Sequence, residues 1–338
     1  MAISRFTVRA ASVALTLLAF VLVGCDRDSS STSGGGGSTT GPSGADGKKL
    51  TVGFAQVGAE SAWRTANTDS IKSEAEKRGI DLKFSDAQGK QENQIAAVRG
   101  FIAQRVDAIV LAPVVTTGFE PVLKEAKAAK IPVILSDRRV TTSDDSLYVT
   151  FVGSDFIEEG RRAANFLVKK MNGKAVIAEL QGTTGSDPAN DRKKGFEEVI
   201  AKHPDMKIVL SQTGDFRRDG GKKVMEAFLK SPQGAQINAV YAHNDDMAIG
   251  AIQAIEEAGR KPGSDVIIVS IDGVRGAFDA MAAGKLNCTV ECNPLIGPQV
   301  FDAIEKAVAG EPLEKRIQVE EGVFEQSQAA AELPNRKY

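Results

Sequence analysis

Ile131-Pro-Val-Ile-Leu-Ser136 runs into Asp137-Arg138-Arg139, Ile237-Asn-Ala-Val-Tyr-Ala242 into His243-Asn-Asp-Asp246, and Asp265-Val-Ile-Ile-Val-Ser-Ile271 into Asp272-Gly273. A short, unbroken run rich in β-branched residues and closed by turn residues reads as a strand buried on both faces, as in a parallel α/β sheet. In such sheets ligands bind outside the carboxyl ends of the strands. Here those ends carry carboxylate, guanidinium and carboxamide groups, a set suited to something small and rich in hydroxyls.

Outward from these runs, strand-like and helix-like segments alternate with little interruption. Strands are read at Leu50–Gln56, Ile80–Ser85, Ala108–Ala112, Ile131–Ser136, Tyr148–Val152, Ala175–Leu180, Lys207–Gln212, Ile237–Tyr241 and Val266–Ile271, with a helical pattern between most neighbours. Alternation at this spacing implies βαβ units and parallel sheets covered by helices on both faces. Roughly 290 residues follow Lys49, enough for two domains with separate cores. The polar connection Arg139–Tyr148 reads as the boundary between two doubly wound domains that face each other. Leu286–Cys292 and Arg316–Phe324 read as β-like hinge strands, separated by a helix over Pro298–Ala309.

The amino end reads differently. Arg5 and Arg9 precede an uncharged apolar stretch to Val23, the layout of an export signal and short for a membrane span. Leu22-Val23-Gly24-Cys25 resembles the lipobox of bacterial lipoproteins, which implies cleavage before Cys25 and acylation of its thiol. Residues 25–48, with Ser29–Ser33 and Gly34–Gly37, cannot bury enough apolar surface to fold. They read as a leash spanning about 25 Å on average.

Several classes of chemistry find little support. The net charge of −2 lacks the basic bias of a nucleic-acid binder. There is no P-loop and no G-x-G-x-x-G between strand and helix; Gln181-Gly-Thr-Thr-Gly185 reads as a plain strand-to-helix loop. His203 and His243 lack ligand spacing, so no metal site is expected, and no cofactor. No G-x-S-x-G elbow is present, so no catalytic residue is assigned. Cys288 and Cys292 would lie about 13 Å apart on a strand, beyond disulfide reach, and are expected as free thiols.

The residues at the strand and helix ends each have a structural reading as well. Asn244 suits a helix N-cap, Asp272 a turn, Asp137 with Arg138 an ion pair, and Arg192 a solvated helix face. Trp63 lies just after the first strand, where core filling and a ligand platform are both open. Their common placement at one end of the sheets favours a binding role.

Val52-Gly-Phe-Ala-Gln-Val-Gly-Ala-Glu-Ser-Ala-Trp-Arg64, Ala112-Pro-Val-Val115, Asp191-Arg-Lys-Lys-Gly-Phe196, Gly214-Asp-Phe216, Tyr241-Ala-His-Asn-Asp-Asp-Met247 and Ser270-Ile-Asp-Gly273 carry a resemblance. From Leu50 to the C-terminus the chain resembles the periplasmic sugar-binding proteins of ABC transporters, the ribose and galactose type, and most of all their galactofuranose-binding branch. The resemblance implies the type I periplasmic binding protein fold: two Rossmann-like lobes joined by three hinge crossovers. The expected division is 1–24 signal peptide, 25–48 lipidated tether, 49–152 plus 292–321 N-lobe, and 153–291 plus 322–338 C-lobe.

Carried over by position, the ligand-binding set is Glu60, Ser61, Trp63, Arg64, Asp137 and Arg138 from the N-lobe, with Arg192, Phe216, Asn244 and Asp272 from the C-lobe. Two positions depart from the pattern. Cys292 stands where relatives often place a polar ligand, and Arg139 adds a charge near the cleft. The implied protein is exported, lipid-anchored and monomeric, binds a monosaccharide and delivers it to an ABC permease. Alternatives are a sensor that presents sugar to a chemoreceptor or signalling kinase, and a secreted glycoside hydrolase. A sugar-responsive repressor would need a basic helix-turn-helix where this chain has its leader.

Overall fold

The computed structural model describes residues 49–338. The expected signal peptide, the acylated Cys25 and the tether lie outside the described residues. Among the described residues no helix is long and apolar enough to cross a membrane.

The chain first alternates β1 (Thr51–Gln56), α1 (Ala62–Lys77), β2 (Asp81–Asp86), α2 (Gln91–Ala103), β3 (Ala108–Leu111), α3 (Glu120–Ala128), β4 (Val133–Ser136) and β5 (Thr150–Gly153). It crosses over and repeats with α4 (Phe156–Lys170), β6 (Ala175–Gln181), α5 (Asp187–Ile200), β7 (Met206–Thr213), α6 (Arg218–Lys230), β8 (Ala239–Ala242), α7 (Asp245–Glu257), β9 (Ile267–Asp272), α8 (Arg275–Ala282) and β10 (Cys288–Glu291). The tail supplies α9 (Gly297–Ala309), β11 (Arg316–Gln318), β12 (Val323–Glu325) and α10 (Ala329–Glu332).

Two six-stranded sheets result, in the orders β11-β5-β4-β3-β1-β2 and β12-β10-β9-β8-β6-β7. Every pair is parallel except β12 against β10. The chain therefore passes between sheets three times: after Gly153, after Glu291 and after Gln318. In each sheet the strand order reverses next to the first strand laid down, β1 or β6. Such reversal points open a crevice at the strand carboxyl ends.

Two segment readings drawn from residue pattern, as distinct from the division that the resemblance implies, differ from the structure. The connection 139–148 lies inside the first lobe, because β5 pairs with β4; the crossing comes after β5. Arg316–Phe324 is not one strand but two, β11 in the first sheet and β12 in the second, with the third crossover between them. Polarity marked the first segment as a loop, yet a loop between adjacent strands and a loop between lobes are equally polar. Cys288 and Cys292 are free and buried, in line with the spacing argument.

The first lobe has separate apolar clusters on the two faces of its sheet, one joining α1 and α9, the other α2 and α3. The second lobe has one continuous cluster, and Trp63 from α1 of the first lobe packs into it. Within the second lobe α4 and α5 meet backbone to backbone. A Cβ on Gly195 would lie 2.0 Å from Ile157 O, and one on Gly160 2.2 Å from Arg192 O.

Gly195→Ala therefore overpacks the helix pair that positions Arg192. We expect a loss of about 1–3 kcal/mol, the usual cost of inserting a methyl into a filled contact, read as a lower urea midpoint. A midpoint equal to that of the parent protein would show that α4 and α5 separate freely.

Candidate functional site

All ten residues assigned from the sequence line one cavity between the lobes, together with Pro188 and Cys292. Its free volume is only about 20 Å³, so the side chains stand close together across the crevice. Glu60, Ser61, Trp63 and Arg64 come from the β1–α1 turn and the first turn of α1, Asp137 and Arg138 from the end of β4. In the other lobe Phe216 follows β7, Asn244 follows β8, Asp272 ends β9 and Arg192 lies on α5.

Three of these residues have positive φ: Asp137 at 65°, Phe216 at 61° and Asp272 at 133°. Side-chain-bearing residues rarely adopt such angles, at a cost of about 1–3 kcal/mol each. The strain turns side chains at strand ends into the crevice. Gly182 makes room for one of them, since a Cβ there would lie 1.9 Å from the Phe216 ring.

In the first lobe the Arg64 guanidinium donates to Glu60 Oε1 at 3.0 Å, to Asp137 Oδ2 at 2.6 Å and to Gln56 Oε1 at 3.3 Å. Burial alone would raise the Glu60 carboxyl, but Arg64 and Arg138 hold it below the ordinary carboxylate range. Arg138 donates to Val114 O at 3.2 Å and approaches Glu60 at 3.5 Å and Asp137 at 3.6 Å. Its burial, and Arg64 beside it, bring the Arg138 guanidinium down to about 10. Two atoms in this cluster are buried without a hydrogen bond, Glu60 Oε2 and Arg138 Nε, the latter 3.6 Å from Asp137 Oδ2. Buried polar atoms are ordinarily hydrogen-bonded, so such exceptions call for a reason.

In the second lobe Arg192 donates from Nε to Glu159 at 2.7 Å and from Nη1 to His243 O at 2.7 Å, with Asp272 at 3.6 Å. Arg192 is buried rather than a solvated helix residue. The reason is Glu159, which the sequence reading did not single out. Its signal was present: Phe156, Glu159, Ala163 and Phe166 share one helical face, an acid inside an apolar stripe. Burial lifts the Asp272 carboxyl well above its ordinary value against the pull of Arg192, with Asp245 adding to the rise.

Asn244 and Ser61 serve in two capacities. Asn244 Oδ1 accepts from Met247 N at 3.0 Å as the cap of α7, and its amide donates to Phe216 O at 3.1 Å. Ser61 Oγ accepts from Arg64 N at 3.1 Å as the cap of α1. Both line the cavity while fixing the helix starts that present their neighbours. Trp63 donates from its indole to Cys292 O at 2.6 Å, and the Phe216 ring faces Arg138 at 5.4 Å and Arg192 at 5.9 Å.

Direct bonds join the lobes around the cavity. Ala62 N donates to Asp246 Oδ2 at 2.7 Å, and Thr116 N to Gly185 O at 3.0 Å. Arg139 lies outside the cavity lining, its side chain 38% exposed. It grips Asp187 with its backbone N and Nε, both 2.9 Å from Oδ2, and with Nη2 at 2.8 Å from Oδ1, and it also pairs with Asp191.

Comparison with known proteins gives a consistent result. The family model described as periplasmic binding protein domain matches residues 52–312. The galactofuranose-binding protein YtfQ of Escherichia coli is 59% identical over 259 residues, 76% of this chain and 81% of that protein. A solved periplasmic binding protein component of the arabinose ABC transporter of Shewanella, bound to α- and β-L-arabinofuranose, is 56% identical with a TM-score of 0.83, covering 85% of this chain and 96% of that one. A crystal structure from Mycobacterium smegmatis in complex with β-D-fucofuranose is 57% identical with a TM-score of 0.83, covering 86% and 95%.

Asp137→Ala would leave the buried Arg64 short of one of its carboxylates. Removing one partner of a buried ion pair costs about 3–5 kcal/mol, so urea unfolding of this variant should show a loss of that order, larger than for Asp137→Asn. Equal stability of parent and alanine variant would mean that Glu60 alone neutralises Arg64.

Proposed function

We propose that this chain, which belongs to the periplasmic binding protein domain family, binds one monosaccharide in furanose form between its lobes and hands it to the permease of an ABC transporter. The observation that carries the reading is a cavity between the lobes on whose wall carboxylates, guanidiniums, a carboxamide and two aromatic rings from both lobes meet. A sugar hydroxyl is both donor and acceptor and suits such a mixed lining, through the stronger charge-assisted kind of hydrogen bond. Asp137 and Asp272 add acceptors, Arg192 a donor, and Trp63 and Phe216 present flat faces to the C–H surface of a sugar ring.

The furanose part rests on the relatives, whose names specify galactofuranose, arabinofuranose and fucofuranose. Ligand residues come from both lobes, so a bound sugar favours the closed arrangement over an open one by its differential contacts. The closed arrangement is what a permease would recognise. No bond in the sugar needs to break, and the protein acts as a monomeric receptor rather than an enzyme. Export and acylation at Cys25 would hold it on a leash at a membrane surface, outside the cytoplasm.

Thermal unfolding tests the ligand. L-arabinose, D-galactose, D-fucose, D-ribose, myo-inositol and a set of amino acids would each be added to the purified protein. A ligand at a hundred times its Kd adds about 2.7 kcal/mol, so a true ligand gives a clear upward shift, which Arg138→Met removes. ¹³C spectra of labelled, bound sugar would read its ring form. Shifts from amino acids and from no sugar would sink the assignment, and a bound pyranose would overturn the furanose part.

The anchor has its own test. Cells expressing the full chain should place it in the detergent phase of a detergent–water partition, and Cys25→Ser should move it to the aqueous phase. A wild-type chain found in the aqueous phase would refute the acylation.

A further inference from the structure

Behind the cavity, on the far side of Cys292, the three segments that cross between the lobes meet. Ser154 lies on the first, Cys292 and Asn293 on the second and Glu321 on the third, while Glu159 reaches in from the first turn of α4. One ligand-type atom from each of Glu159, Cys292 and Glu321 lies within 4.8 Å of the others. The Ser154 hydroxyl stands among them, 3.4 Å from Cys292 Sγ and hydrogen-bonded to Glu321 Oε1, which also accepts from Asn293 N at 3.3 Å.

The decisive detail is Glu159. Its Oε2 serves Arg192, while its Oε1 is buried with no hydrogen bond of good geometry, on a residue only 1% exposed. The Cys292 thiol is the neighbour that Glu159 has on the crossover side.

We propose that Glu159, Cys292 and Glu321 form a binding site for one thiophilic divalent cation, Zn²⁺ by its chemistry, which clasps the three crossovers together. Zinc takes thiolate and carboxylate ligands in four-coordinate sites, and three protein ligands with one further oxygen is a common arrangement. Atoms around tetrahedral zinc lie roughly 3.5 Å apart, so these three, within 4.8 Å of one another, need to draw together by at most about an ångström. Ser154 Oγ or a water completes the shell. The sulfur selects against Mg²⁺ and Ca²⁺, which prefer all-oxygen sites.

The electrostatics agree with the geometry. Burial pushes the Glu321 carboxyl up to about 9, with Glu159 contributing. Burial likewise raises Glu159 and the Cys292 thiol, and Arg192 is the cation that works against the rise in both. An entry path exists in a surface groove lined by Asp155, Glu158, Glu320 and Glu321, in which Arg162 is already engaged by Glu158 at 3.2 Å and Glu321 O at 3.0 Å.

Each ligand sits on or next to a different crossover, so a bound ion would tie together the segments that must bend for the lobes to part. Opening becomes harder and sugar exchange slower with the ion present. That consequence rests on the sugar reading; the ion site itself does not.

The test uses the chain without its leader and carrying Cys25→Ser, so that Cys288 and Cys292 are its only thiols, kept reduced and titrated with Cd²⁺ and with Zn²⁺ in the absence of any sugar. A cadmium–thiolate bond absorbs in the ultraviolet, and we expect that band to saturate at one equivalent, to be removed by competing Zn²⁺, to vanish in Cys292→Ser and to survive in Cys288→Ser. Glu321→Gln, which keeps shape and hydrogen bonding, should weaken cadmium binding by about tenfold or more, the scale on which even ligand-positioning groups act. Circular dichroism confirms that each variant is folded, and Glu321→Gln decides the matter if Cys292→Ser is not. Absence of a stoichiometric band, a band that survives Cys292→Ser, or unchanged affinity in Glu321→Gln would each overturn the proposal and leave the cluster as a knot of protonated, hydrogen-bonded side chains. Cadmium binding with no sugar binding would uphold the ion site while removing the sugar reading.

Discussion

A buried guanidinium must have its charge answered, and in this molecule that requirement sits at the centre of the cleft. Arg64 is 2% exposed and held between Glu60 and Asp137. Glu60 reaches it from one turn earlier in the chain, but Asp137 arrives from the end of β4, beyond β3 in the sheet. The ion pair therefore fixes α1 against two non-adjacent strands. It also fixes Arg138, whose own charge leans on the same two carboxylates. Arg192 does the equivalent work in the other lobe, between Glu159, Asp272 and the carbonyl of His243.

Such clusters are weak sources of stability, because the cost of taking ions out of water offsets most of their attraction. This one carries further penalties: backbone strain at Asp137, Phe216 and Asp272, and buried atoms without a hydrogen bond on Glu60 and Arg138. The pattern makes sense as preorganisation. Polar groups already desolvated and locked by their neighbours lose little further entropy when a guest arrives, so more of each new hydrogen bond appears as affinity. Stability spent in the cleft is recovered elsewhere, in the apolar clusters on both sheets.

Much of this could be read from residues alone, and the limits have physical causes. Strands such as Ala108-Ile-Val-Leu111 are buried along their whole length, so their unbroken apolar runs declared a parallel sheet. Their ends then located the cavity, since in that architecture strand ends converge. What stayed hidden were contacts between segments distant in the chain. Nothing near Arg139 in sequence announces Asp187, and nothing near Cys292 announces Glu159. The pairing of β5 with β4 moved the lobe boundary past the polar loop that had looked like it, because hydrogen-bond partners, unlike polarity, are a property of the assembled sheet.

Asn244 shows why function and structure were hard to separate by residue type. As a cap it uses Oδ1, as a brace for Phe216 it uses its amide nitrogen, and it still faces the cavity. Asp245 beside it accepts from Thr289 Oγ1 at 2.8 Å and Val274 N at 2.9 Å, tying the start of α7 to β10 and to the start of α8. The loops that meet a ligand are thus the same loops whose side chains close the helix ends. A change that loosens a cap would also move a ligand contact, and one that swaps a ligand residue would fray a helix. Stability and affinity should therefore shift together across this cleft.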